Sequence, residues 1–187
     1  ICVIKIIILT YVDDKPNILI RYNSKEKIFI YQSLSALIIA LVDIIIMYVT
    51  SIFSAYIILD QYDNWTENGS LFYRMAVRNE LPPDIGVNDV CIYINLVIRI
   101  SLIIWLVTII GLLSEVWFNK LRTVVIMLIA TSAFSYSFKY GMARLNLSVM
   151  EMYNMRKVIV KTVILFAVCI VLVITGTILS KKRQYYK

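Results

Sequence analysis

No histidine occurs anywhere in this 187-residue sequence. Its absence excludes His-ligated haem or zinc, and any Ser-His-Asp or Cys-His catalytic site drawn from this chain. Cysteine is nearly as scarce. Cys2, Cys91 and Cys169 form an odd set at spacings that fit no metal motif, and Cys169 reads as a small packing residue. No two acids share one face in the way that general acid–base catalysis needs. The expectation is therefore a protein that is not an enzyme, with no metal and no cofactor.

Charge is also sparse, at 17% of residues, while 60% are hydrophobic and mean hydropathy is +0.80. Soluble chains hold ~45–50% apolar residues, so this composition belongs in a bilayer. The formal charge of +7 comes from basic residues clustered at the ends of apolar runs. No basic face interleaved with stacking aromatics is visible, which argues against nucleic acid and for Lys and Arg as determinants of topology.

Four apolar runs are long enough to cross a membrane: Ile28–Leu59, Val90–Leu113, Leu121–Tyr140 and Val158–Leu179. None contains proline, and Gly111 and Gly176 are the only glycines within them. At 1.5 Å per residue the first is about 48 Å long, well beyond a ~30 Å hydrocarbon core, so it must tilt or project. The short turn Ser114–Lys120 makes the second and third runs antiparallel neighbours. The run Ile1–Thr10 is too short to span and is expected to pair as a strand with Asn17–Tyr22 across Asp13-Asp14-Lys15-Pro16. The expected organisation is a cytoplasmic segment 1–27, a transmembrane domain 28–180 and a basic tail 181–187.

Basic residues accumulate on the side of both termini, which predicts both termini cytoplasmic. The loop 60–89 then faces outward. It is acidic and holds two N-glycosylation tripeptides, Asn64-Trp-Thr and Asn68-Gly-Ser, which suit a lumenal or extracellular loop. Plasma membrane or endomembrane is favoured on that account, with the mitochondrial inner membrane as the other reading.

Two residues stand out. Asp43 and Arg99 each interrupt a long apolar run, where an ionised side chain costs at least ~2.5–3.5 kcal/mol and so faces protein or water. Ala36, Ala40, Asp43, Met47, Thr50 and Ser54 recur at steps of four and three, which places them on one small, polar helix face suited to close packing. Asn95 lies one turn before Arg99. On the fourth run Thr162, Leu165, Cys169, Leu172 and Gly176 form a second seam, with Lys161 able to snorkel toward the interface.

The expected fold is all-α: a polytopic four-helix transmembrane bundle with both termini cytoplasmic and a short N-terminal β-hairpin. The expected function is that of a non-enzymatic accessory or structural subunit of a larger membrane complex. It would contact the bilayer and other integral membrane subunits through its small-residue faces and the Asp43 and Arg99 charges. The alternative is a pore or transporter subunit in which Asp43 and Arg99 line a polar path.

Overall fold

The computed structural model describes residues 24–59, 90, 93–117, 125, 129 and 154–182. All but Ser24 and Asn154 are helical, and no strand occurs among the described residues. Helix α1 covers Lys25–Leu59; a π-helical turn, Ile94–Arg99, runs directly into helix α2, Ile100–Trp117; helix α3 covers Met155–Lys182. Three helices are long and apolar enough to cross a membrane. The expected N-terminal hairpin, the outer loop 60–89 and residues 183–187 lie outside the described residues. Of the expected third span, only Val125 and Ile129 are described, both helical and exposed.

The helices start where their caps are. Ser24 Oγ accepts a hydrogen bond from the Lys27 amide at 3.4 Å, and Asn154 Oδ1 accepts one from the Lys157 amide at 3.2 Å. Each satisfies one of the amides that a helix start leaves open. This is why α1 and α3 begin about a turn before the apolar runs that announce them.

All three helices touch one another, and α2 is the inner one. Its most apolar stretch is 61% buried, against 17% for α1 and for α3. Leu102, Trp105, Leu106, Ile109 and Leu112 of α2 are buried, and Ala36, Leu165 and Cys169 close over them from the neighbouring helices. Ala36 and Cys169 are small, which lets the backbones approach where hydrocarbon offers no hydrophobic force between helices. The outer surfaces remain apolar. Ile38, Phe53, Ile58, Val163 and Val171 are among the exposed residues, as suits contact with lipid.

Five contacts fix direction and register. Ser33 meets Trp105 and Tyr48 meets Tyr93, so α1 and α2 are antiparallel. Ile94 packs on Val158, and the Cys169 thiol donates to the Leu102 carbonyl at 3.7 Å, so α2 and α3 are parallel. It follows that α1 and α3 are antiparallel, with Phe29 lying against Gly176. As a consequence, Trp117 and Met155 sit at opposite ends of the bundle.

The Phe29–Gly176 contact leaves no room for a side chain. A Cβ at position 176 would overlap Cζ and Cε1 of the Phe29 ring, which is itself buried. Gly176→Ala is expected to destabilise the bundle by about 1–3 kcal/mol through overpacking. A thermal melt in detergent measures it. Because the ring is what the new methyl meets, adding Phe29→Leu should recover part of the loss, and strictly additive effects would contradict this contact.

Candidate functional site

The polar side chains of α2 are the ones hydrocarbon would penalise most, and the fold disposes of them locally. Ser101 Oγ donates to the Val97 carbonyl at 2.6 Å, Thr108 Oγ1 to Ile104 at 2.8 Å and Ser114 Oγ to Gly111 at 2.7 Å. Each bond stays within its own helix turn, so a buried hydroxyl presents little to a neighbour. On α3, Ser180 does the same with Gly176 at 2.8 Å.

Trp105 is the exception that crosses between helices. Its Nε1–H donates to the Ser33 carbonyl at 2.9 Å and to Ser33 Oγ at 3.1 Å, with both residues buried. An indole N–H in an apolar interior needs such a partner. Sequence reading passed over this pair. The available signal was a tryptophan in mid-span, far from the interface where tryptophans usually sit.

Arg99 is completely buried, at 0% exposure, and is the last residue of the π-helical turn. A π-turn carries one more residue per turn than the helix around it and is frequent at functional sites. No glycine or proline announces it in Ile94–Arg99; its one sequence signal is the arginine itself.

The Tyr48–Tyr93 contact places Asp43 near Arg99 in depth. Asp43 precedes Tyr48 and Arg99 follows Tyr93, and the Tyr48 and Tyr93 rings meet edge to face at 5.5 Å. On antiparallel helices both steps lead toward Ser33 and Trp105, over about 8 Å and about 9 Å at helical rise. The two charges therefore lie at similar depth. Lys161 joins them, since it follows Val158 by less than a turn and Val158 packs on Ile94. Asp43 and Lys161 are half-buried. One carboxylate and two cations thus come from three different helices into one layer.

The expected small-polar face of α1 divides in two. Ala36 and Ala40 are buried against the bundle, while Met47, Thr50 and Ser54 are exposed. The buried row runs Phe29, Ser33, Ala36, Ala40 and Ile44, so Asp43 falls at its edge. A 3.5-residue rhythm drifts about 20° per heptad on a straight helix, which moves the later members off the contact. Beyond Tyr48, α1 also outruns the described start of α2. Thr50 Oγ1 turns to the Ile46 and Met47 carbonyls at 2.9 Å each, and Ser54 Oγ to Thr50 at 2.8 Å. Asn64 and Asn68 lie outside the described residues. Among the described residues, no group of three His, Cys, Asp or Glu side chains is placed to hold a metal ion.

No family model, curated protein or solved structure matches this chain. Function is therefore argued from its own geometry. The first consequence concerns the charged layer. A double-mutant cycle between Asp43→Asn and Arg99→Gln, read as melting free energy in detergent, is expected to show a coupling of about 0.5–3 kcal/mol. The same cycle with Lys161→Gln reports which cation Asp43 acts on. Additivity within about 0.3–0.5 kcal/mol in both cycles would mean that the layer is no electrostatic unit.

Proposed function

We propose that this chain is a non-enzymatic accessory or structural subunit of a membrane protein complex, with four transmembrane helices and both termini cytoplasmic. One observation carries the functional half. The buried hydroxyls of Ser101, Thr108, Ser114 and Ser180 donate to carbonyls of their own helices. Such an interior favours packing, whereas a transport path needs polar groups free to bind a passing ion or substrate. The apolar flanks of α1 and α3 then serve as surfaces for lipid and for other integral subunits, in the plasma membrane or an endomembrane.

The four-span half is supported by direction. Helices α2 and α3 are parallel, so the chain between them returns from one end of the bundle to the other. A backbone crossing hydrocarbon must satisfy its own hydrogen bonds, which favours a helix for that return, and Leu121–Tyr140 has the length and composition.

Two measurements test these readings. Tags placed before Ile1 and after Lys187 are expected to become accessible from the same side of selectively permeabilised cells; opposite sides would require an odd number of spans. Extraction in mild detergent is expected to recover the chain in a particle larger than its own 21.7 kDa, and Asp43→Asn to shrink that particle. The purified chain in liposomes is expected to pass no ions. A conductance changed by Asp43→Asn would instead establish the pore, and a monomer on extraction would overturn the subunit reading.

A further inference from the structure

The Phe29–Gly176 contact does more than close a seam. Lys25 lies one turn before Phe29, and Lys181 lies just over one turn after Gly176, on antiparallel helices. The start of α1 and the end of α3 are thereby held together at one end of the bundle. Lys25, Lys27 and Lys181 lie there, Lys182 and Arg183 follow in the sequence, and the acids that α1 and α2 bring to the same end are Glu26 and Glu115. Lys27 and Lys181 are exposed and Lys25 is half-buried.

We propose that this end of the bundle binds the headgroups of anionic phospholipids. The lysines sit where two apolar helices leave the hydrocarbon, which is the depth of lipid phosphates. Clusters of this size beside a membrane helix attract phosphatidylserine and phosphoinositides. A glycine that admits the Phe29 ring keeps Lys25 and Lys27 near Lys181, where they act together on one or two headgroups. On separate, diverging helices their fields would be screened from each other beyond about 8–10 Å. The proposal rests on the chain being membrane-spanning, but not on the number of spans or on which leaflet this end faces.

The test uses the intact chain purified in a neutral detergent, with binding of fluorescent phosphatidylserine and phosphatidylcholine compared at low salt. The protein is expected to prefer phosphatidylserine by at least about tenfold, and added salt to reduce that preference. Lys27→Gln alone should lower it by roughly fivefold, and Lys25→Gln with Lys27→Gln and Lys181→Gln should abolish it. Lys27 and Lys181 are exposed, so an unchanged melting temperature accompanies the loss in the Lys27→Gln, Lys181→Gln double variant. Arg156→Gln with Lys157→Gln, at the opposite end, should leave the preference intact. Equal binding of the two lipids overturns the proposal. So does a preference that survives the triple lysine variant or disappears with the Arg156 and Lys157 pair. A wrong topology would not alter any of these results, because the detergent-bound protein offers both ends to the probe.

Discussion

Hydrocarbon offers no water to a stray polar group, and that constraint organises the bundle from its centre outward. Trp105 shows it most directly. Its indole N–H sits at the middle of the most buried helix, and the Ser33 carbonyl and hydroxyl meet it from α1. Interhelical hydrogen bonds of this kind are modest in strength, averaging ~0.6 kcal/mol where cycles have been measured. Their importance is in register. Sliding α1 by one residue would strip the N–H of both acceptors, and a bare donor in an apolar interior costs about 1–3 kcal/mol. The hydroxyls of Ser101 and Thr108 place no such demand, since their own helix supplies the acceptor.

From that register the placement of the charges follows. Once Tyr48 is opposite Tyr93, Asp43 and Arg99 come to similar depth whether or not they attract one another. Packing of Val158 on Ile94 then brings Lys161 to nearly the same depth. The charged layer is thus a consequence of helix packing, and the π-turn that ends in Arg99 lies where the layer meets the core. A buried charge held this way contributes little net stability but penalises alternative packings strongly, because any other register leaves it among apolar side chains.

The two ends of the bundle differ in kind. At one, a phenylalanine seated on a glycine draws helix termini together and concentrates lysines. At the other, α1 continues past Tyr48 with Phe53, Ile57 and Ile58 exposed. With 35 residues, α1 is about 52 Å long and exceeds a ~30 Å hydrocarbon core, so part of it must tilt or emerge. Such a helix keeps an apolar face that the described bundle does not cover.

Much of the helical architecture was legible from composition alone. Apolar runs near 20 residues, free of proline, become helices because only a helix satisfies a backbone in lipid, and the runs at 28–59, 90–113 and 158–179 coincide with described helices to within about a turn or two at their ends. The oddity of Asp43 and Arg99 was equally plain, since a charge in an apolar run carries its cost with it wherever the helix goes. Periodicity identified a shared face on α1 but not how far that face is used: Ala36 and Ala40 are buried, whereas Met47, Thr50 and Ser54 are exposed. That depends on where the neighbouring helices run, which no local pattern encodes. The Ser33–Trp105 bond, the seating of Phe29 on Gly176 and the shared depth of Asp43, Arg99 and Lys161 each join residues distant in the chain. The sequence by itself determined which segments are helical and which side chains are out of place in lipid, because those depend on the chemistry of each residue and its near neighbours. Only the tertiary structure decided direction, register and who meets whom, because those depend on side chains that become neighbours only when the helices pack.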